Sequence, residues 1–359
     1  VLGDNSLSFV LCAHNARDRI GDCLSHLSRQ RLIVGQGYEV VLVDNGSTDG
    51  TADLARQVWQ REGATAPLRV VPEPRLGLVH ARLTGIRAAR HEVLSFVDDD
   101  TWMAPDWVAT ALRTMEEHPT VGLVGAEGEA RFPADGGPPW FQRFRHGYAV
   151  GPQGPAGGGP VPLGDIFYGA GLTVRRSAVL SLLDRGFTPL LTGRTGAGLA
   201  SGEDAELCLA LVADGWDTWF QPSLRFQHLM TPRRLTEGYL EGLFYELGRS
   251  VPLIETYRQV IWQRQGKGLK ALWRSPVPRV LAATAKLGKR RLARMGATSP
   301  ADVLSARISA AFFRGQLRAY GGYWSQGPAL RRSIRSWLDN PAQGTDHDPA
   351  RYETHARAG

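Results

Sequence analysis

Glu92-Val93-Leu94-Ser95-Phe96-Val97-Asp98-Asp99-Asp100 is a short apolar run that ends in three consecutive carboxylates. A near-continuous apolar segment of this length reads as a strand covered on both faces, the kind found in parallel sheets between layers of helices. Working outward, residues 8–11, 39–43 and 68–71 have the same character. Apolar residues at helical spacing occupy 17–30, 48–62 and 77–90 between them, and 105–117 after the fourth run. The alternation predicts an α/β fold of successive βαβ units with a mostly parallel sheet flanked by helices. Ligands of such sheets gather beyond the carboxyl ends of the strands. Asn15, Asp44 and the Asp98–Asp100 cluster all fall at those ends.

The polar residues at the strand ends carry the chemistry. Three adjacent carboxylates repel one another and raise one another's pKa, so a cation is expected near them. Mn²⁺ or Mg²⁺, held by one or two carboxylates together with substrate phosphates, meets that need; a solvated acidic turn capping the next helix is the structural alternative. The second strand runs into Asp44-Asn45-Gly46-Ser47-Thr48-Asp49, where Asn-Gly makes a turn and Asp44 is left as an acceptor for a base N–H or a ribose hydroxyl. Turn chemistry alone also accounts for that segment. Ser201-Gly202-Glu203-Asp204 opens a helix with an acidic pair, which suits either a general base or the favourable end of a helix dipole. Gly169-Ala170-Gly171 permits close approach of backbone to a ligand, or simply a tight turn, and Trp140 offers either a ring for a sugar face or a piece of a small satellite core.

Length and composition limit the classes available. A chain of 359 residues can hold one large catalytic domain with an appendage, and 43% hydrophobic with 21% charged residues excludes disordered and fibrous classes. The net charge of +7 favours an anionic partner: a nucleotide diphosphate, an anionic lipid surface or a nucleic acid. Cys12, Cys23 and Cys208 form neither a zinc knuckle nor a disulfide framework, which fits a reducing cytoplasm. No apolar stretch is long enough to span a bilayer, so a soluble or peripheral protein is expected. The chain opens at Val1 rather than Met, which leaves room for an upstream segment removed.

Residues 131–165 are rich in Gly and Pro and read as a functional or mobile loop, with a disordered insertion as the alternative. Helices are expected near 177–183 and 203–214, and short strands around 217–228. Beyond 232 the chain reads as helical, and no acidic residue occurs between Glu255 and Asp302, while Arg258, Lys267, Arg279, Lys286, Lys289 and other basic residues accumulate there beside Trp262 and Trp273. That composition suits contact between 256–300 and an anionic membrane, or a solvated basic face. The expected division is a catalytic domain over 1–240 (nucleotide-binding half 1–126, acceptor half 127–240), a basic helical extension over 241–339 and a disordered tail over 340–359.

Taken in order, His14-Asn15, Val43-Asp44-Asn45-Gly46-Ser47-Thr48-Asp49, Gly77-Leu78-Val79-His80-Ala81-Arg82, Phe96-Val97-Asp98-Asp99-Asp100 and Gly202-Glu203-Asp204 resemble glycosyltransferase family 2 over about residues 7–240. The resemblance implies a GT-A fold and an inverting transfer of a sugar from a nucleotide-diphosphate donor to a saccharide or lipid-linked acceptor. It implies that Asp44 binds the nucleobase or ribose, that His14 packs on the base where the family commonly has an aromatic residue, and that Asn15 and Arg82 lie near the nucleotide. Asp98 would stand nearer the ribose and Asp100 would ligate the metal, with Asp99 between them and His228 completing the metal site. Asp204 matches the family's base and Glu203 an acceptor-binding group; Arg233 and Arg234 would meet the diphosphate. The Pro138-Pro139-Trp140-Phe141, Gly169-Ala170-Gly171 and His228-to-Leu235 elements resemble a bacterial subgroup of surface or extracellular polysaccharide assembly, working in the cytoplasm or at the inner face of the cell membrane.

Two rival readings differ in what they leave unexplained. A sugar-1-phosphate nucleotidyltransferase would carry a Gly-rich basic loop after the first strand, where this chain has Cys12-Ala13-His14-Asn15. A noncatalytic membrane- or nucleic-acid-binding protein would use the basic helices but give no role to Asp98–Asp100 or Glu203-Asp204. No nucleic-acid partner is expected.

Overall fold

The computed structural model describes residues 5–132, 136–162, 164–191, 193–194, 198–199, 201–273, 275–296 and 299–340. The chain begins β1 (Ser6–Ala13), α1 (Ile20–Ser28), β2 (Gly37–Asp44), α2 (Thr51–Arg61), β3 (Leu68–Pro72), α3 (Leu78–Ala88) and β4 (Val93–Asp98). These are the four strands and three intervening helices expected from the apolar pattern. The next elements are β5 (Thr101–Met103), α4 (Trp107–Glu117), β6 (Val121–Arg131), α5 (Phe141–Phe144), β7 (Gly159–Pro160), β8 (Thr173–Arg175) and α6 (Arg176–Asp184). Then come α7 (Glu203–Ala213), β9 (Asp217–Leu229), α8 (Glu237–Arg264), α9 (Gly268–Trp273), α10 (Pro276–Met295) and α11 (Pro300–Leu338).

Nine strands form one sheet in the order β3-β2-β1-β4-β8-β6-β9-β5, with β7 pairing β9. The parallel expectation holds from β3 to β4. Beyond β4 the sheet is mixed: β8 runs antiparallel to both β4 and β6, β6 runs parallel to β9, and β5 and β7 run antiparallel to β9. The result is a mixed α/β sheet with flanking helices and a helical C-terminal region, the arrangement a GT-A fold calls for. Alternate residues of β1 feed opposite layers, as period-two geometry requires. Leu7, Phe9, Leu11 and Ala13 pack into one core with α1, α2 and α4, while Val10 and Cys12 join a second core with α3, α6 and α7.

The strand signal fails at β6 for a steric reason. Its sequence, Val-Gly-Leu-Val-Gly-Ala-Glu-Gly-Glu-Ala-Arg, carries three glycines that lower strand propensity. A Cβ at Gly122 would stand 2.7 Å from Trp216, one at Gly125 2.4 Å from Phe167, and one at Gly128 2.2 Å from the Ala149 carbonyl. Rings and backbone lie directly on the strand, so the glycines are required by packing. The segment expected as short strands around 217–228 is likewise one 13-residue strand, β9.

The Gly- and Pro-rich region is ordered where it is described. Phe141, Phe144, Tyr148 and Val150 are buried with Met230, Leu240 and Leu243 in a third apolar cluster. The C-terminal helices are joined to the sheet as well. The boundary expected at 240 falls inside α8, whose Leu253, Ile254, Tyr257, Val260 and Ile261 belong to the second core, as do Ile334, Trp337 and Leu338 of α11. Helices α8 and α11 touch backbone to backbone: a Cβ at Gly248 would lie 2.0 Å from the Phe312 carbonyl oxygen, and one at Gly315 the same distance from that of Tyr245. Arg314–Glu241 at 2.7 Å and Arg264–Asp339 at 3.1 Å tie the same helices together. Of the tail expected to be disordered, 341–359 lie outside the described residues.

Candidate functional site

Strand register brings the first set of polar residues together. Strand β1 pairs with β2 and β4 at once, so Ala13 stands opposite Asp44, and Cys12 opposite Asp98. The chain then turns out of the sheet at His14 and Asn15. Asn15 has a positive φ of 46°, which asparagine tolerates better than most residues. Its backbone N–H donates to Ser47 Oγ and its Oδ1 accepts from Thr48 N, fastening the loop after β1 to the loop after β2. His14 Nδ1 donates to the Asn45 carbonyl oxygen at 2.8 Å. Asn45, buried, holds the 73–77 loop by donating to the Glu73 and Arg75 carbonyls and accepting from Gly77 N. The Asp44 carboxylate accepts from Ser47 N at 3.1 Å.

A second register places the end of the acidic cluster. In the antiparallel pair β5–β9, Thr101 lies opposite His228, and Leu229 N donates to the Asp100 carbonyl. His228 Nδ1 faces the Tyr148 carbonyl at 2.8 Å, an acceptor only, so Nδ1 carries the proton and Nε2 keeps its lone pair. That Nε2 stands 3.4 Å from Asp100 Oδ1, a buried oxygen with no hydrogen-bond donor. Two buried lone-pair atoms facing each other need a positive charge between or beside them. Arg234 supplies it here, with one guanidinium nitrogen 2.5 Å from Asp100 Oδ2 and another against His228 Nε2. Burial alone would raise the Asp100 carboxyl, but the Arg234 guanidinium above all, with Arg194, outweighs it and holds the carboxyl well below the usual range.

Asp99 points elsewhere. Its two oxygens accept from Arg19 Nε and Nη2, each at 2.8 Å, a bidentate pair. Burial and the Asp100 charge push the Asp99 carboxyl up to about 7, with Arg19 pulling against them. Arg19 had no role in the sequence reading, although its position four residues beyond Asn15, in a loop at the carboxyl edge of the sheet, is where a basic partner for the acidic cluster can reach. Tyr148 and Arg194 also enter the site without a sequence signal, because a carbonyl's direction or a loop's path leaves none.

Arg82 links the two halves. Buried at 7% exposure, it lies 3.6 Å from Asp98 Oδ1, 3.3 Å from Glu203 Oε1 and over the Phe96 ring. Burial disfavours its charge, but Glu203, Asp98 and Asp204 more than offset this and raise its pKa. Gly169 is explained by the same arginine, since a Cβ there would sit 2.3 Å from an Arg82 nitrogen. Gly171 has φ +73° and sits against Phe226 and Trp107, while Ala170 is buried beside them. The glycines thus make room for protein side chains.

Glu203 and Asp204 open α7 after Gly202. Burial and the Asp204 charge push the Glu203 carboxyl up to about 7 against the pull of Arg82, and its Oε2 is buried without a partner. Asp204 Oδ2 accepts from Gly169 N and Oδ1 from Ala205 N, both at 2.7 Å, which fixes the carboxylate's direction.

These groups line one cavity of about 620 Å³, whose wall includes His14, Arg19, Asn45, Arg82, Asp98–Asp100, Gly169, Ala170, Glu203, Asp204, His228 and Arg233–Arg234. Helix α8 closes it with Tyr239, Leu243, Leu247 and Ile254. Asp44, Asn15, Gly171 and Trp140 are not part of that wall. Trp140 packs in the satellite cluster near Phe141 and Tyr148, the core role left open for it by the sequence. Cys12 also lines the cavity, but burial pushes its thiol up to about 12, so it is no nucleophile at neutral pH. Among the described residues no three His, Cys, Asp or Glu side chains converge on one metal position. A cation here would therefore rest on Asp100 and His228 and take its other ligands from a bound phosphate or water.

The family model described as "Glycosyl transferase family 2" matches residues 8–142. EpsH of Bacillus subtilis is 30% identical over 109 residues, covering 30% of this chain and 30% of that protein. Glycosyltransferase AglE of Haloferax volcanii is 31% identical over 130 residues, covering 36% of this chain and 41% of that one. The chain thus spans 30% and 41% of the length of these two relatives. The crystal structure of S. aureus TarS 1-349 aligns over 93% of this chain and 88% of that one, with 16% identity and a TM-score of 0.49. The residues matched by the family model run from β1 through the Asp98–Asp100 turn and β6 into the start of α5, and over them the chain is similar to glycosyl transferase family 2.

Proposed function

We propose that the protein is a metal-dependent, inverting glycosyltransferase that moves a sugar from a nucleotide-diphosphate donor to a hydroxyl of a saccharide or lipid-linked acceptor, in the assembly of a surface or extracellular polysaccharide. The observation that carries the reading is that Asp98–Asp100 and Glu203-Asp204, from separate elements, face one cavity and share Arg82 between them. In this reading Asp44, His14 and Asn15 form the nucleoside end, with Asp98 at the ribose. The pairing of an orphaned Asp100 oxygen with the His228 Nε2 lone pair fits a resident Mn²⁺ or Mg²⁺. When bound, that cation supplies charge neutralisation to the departing nucleoside diphosphate. Arg233 and Arg234 add positive charge for the diphosphate, and Arg82 keeps Asp98 and Glu203 from repelling each other.

Asp204 takes the proton from the acceptor hydroxyl as its oxygen attacks the anomeric carbon. The two backbone N–H groups on its carboxylate hold the direction that a general base needs. Glu203, with one unpartnered oxygen, binds an acceptor hydroxyl beside it. Single displacement inverts the anomeric centre and needs no enzyme nucleophile.

The test begins with a thermal-shift screen of nucleotide sugars in the presence of Mn²⁺, where the true donor raises the melting temperature by mass action. The shift is lost on chelation and restored by Mn²⁺ or Mg²⁺. With that donor, Asp204→Asn keeps the thermal shift but lowers transfer by about 10²-fold or more. Near wild-type transfer by this variant removes Asp204 as the base. A donor shift indifferent to chelation removes the metal.

A further inference from the structure

Thirteen large apolar side chains are exposed among the described residues, and six of them fall within 24 residues: Leu269 (80% exposed), Leu272 (63%), Trp273 (71%), Val277 (54%), Leu281 (65%) and Leu292 (70%). They occupy α9 and α10. In α9, Leu269, Leu272 and Trp273 have the i, i+3, i+4 spacing of one helical face, and that face is turned to solvent. In α10 the inward row runs through Ala283, 2% exposed, toward α11, so Val277, Leu281 and Leu292 stand on the outward side. A core would bury such a stripe; this one is left uncovered.

The charge around the stripe is of one sign. No Asp or Glu occurs from 256 to 301, while eleven Lys and Arg residues do. Lys267, Lys289 and Arg291 are exposed beside the apolar positions. Acids meet this region away from the stripe, where Arg279 pairs with the buried Glu255 of α8 at 2.9 Å and Arg264, ahead of α9, pairs with Asp339 at 3.1 Å. An apolar face rimmed only by cations matches an anionic bilayer, where acyl chains take the Leu and Trp side chains and phosphate headgroups take the Lys and Arg. No helix among the described residues is long and apolar enough to cross a membrane. The contact is therefore one of lying on the surface.

We infer that the α9–α10 face is a docking surface for anionic lipid bilayers, with Leu269, Leu272, Trp273, Val277 and Leu281 entering the interface and the flanking basic residues contacting headgroups. The inference does not depend on which reaction the cavity performs.

Vesicle co-sedimentation of the full chain tests it, using phosphatidylcholine vesicles with and without phosphatidylglycerol. Binding to the anionic vesicles should exceed binding to the zwitterionic ones by about tenfold or more and should weaken as salt rises. The double variant L272E/W273E should lose about tenfold in anionic-vesicle binding. Its melting temperature should stay unchanged, since both side chains are exposed. Equal binding to the two vesicle types, no binding, or full binding by the double variant overturns the inference. Sedimentation velocity covers the competing occupant: a dimer that the double variant dissolves, without vesicle binding, assigns the face to a second copy and likewise overturns it.

Discussion

Gly169→Ala should act entirely through Arg82, a residue 87 positions away. Gly169 is not among the glycines with positive φ, so alanine brings no backbone strain of its own. The added Cβ would lie 2.3 Å from Arg82 Nη2 and 2.8 Å from its Cζ and Nη1. Ordinary contact requires about 3.5 Å, so the guanidinium must retreat by about 1 Å. A guanidinium at the end of a flexible stem can move, but this one is held by Glu203 at 3.3 Å and Asp98 at 3.6 Å in a buried setting. The expected cost is therefore about 1–3 kcal/mol, from weakened ion pairs and overpacking. Urea unfolding of the wild type, Gly169→Ala, Arg82→Ala and the double variant measures it as a cycle. Gly169→Ala should cost about 1–3 kcal/mol in the wild type and less than about 0.5 kcal/mol once Arg82 is gone. An equal cost in both backgrounds would refute the explanation of Gly169 as clearance for Arg82.

Three further outcomes follow from the packing and the charges. Gly248→Ala or Gly315→Ala must separate α8 from α11, because the obstacle is a backbone carbonyl at 2.0 Å; each should cost about 3 kcal/mol in urea unfolding, against little effect for Gly238→Ala, which has open space around it. Glu206 is fully buried, and burial pushes its carboxyl up to about 7 against the Leu190 and Leu191 N–H groups and the Tyr257 hydroxyl that donate to it. A folded-state pKa above the unfolded one means that the unfolded state loses its proton first, so this group lowers stability as pH rises from about 4.5 to about 7. Glu206→Gln should remove that slope, with its stability relative to wild type rising by up to about 3 kcal/mol between pH 5 and pH 8. Arg234→Met removes the cation that Asp100 and His228 share, and in the absence of divalent metal it should lower the melting temperature; Mn²⁺ should restore more of the loss than it adds to wild type, and equal metal responses would separate Arg234 from the metal position.

Much of the site was legible in the sequence because parallel sheets turn chain order into position. Asn15, Asp44 and Asp98 each follow a run of buried apolar residues, and the register of β1 with β2 and β4 leaves them at one edge, although of the three only Asp98 lines the cavity. The roles around Trp140 and Gly169 were not legible. An aromatic after two prolines suits a sugar platform or a small core equally, and only the packing against Phe141 and Tyr148 separates the two. A glycine shows that something comes close, without showing that the neighbour is Arg82.

The sequence by itself determined the elements from β1 to β4, the acidic turn at Asp98–Asp100, the helix opened by Glu203-Asp204 and the acid-free basic stretch beyond Glu255, since each rests on local periodicity or on composition. Tertiary structure alone decided the mixed half of the sheet, where the glycines of β6 make way for Trp216 and Phe167. It also decided the partners of the three carboxylates: Asp98 with Arg82, Asp99 with Arg19, and Asp100 with His228 and Arg234. The physical reason is reach. Hydrogen-bonding and steric preferences between neighbours are written into adjacent residues, whereas charges carried on separate elements find each other only when the packing of those elements brings them within a few ångströms.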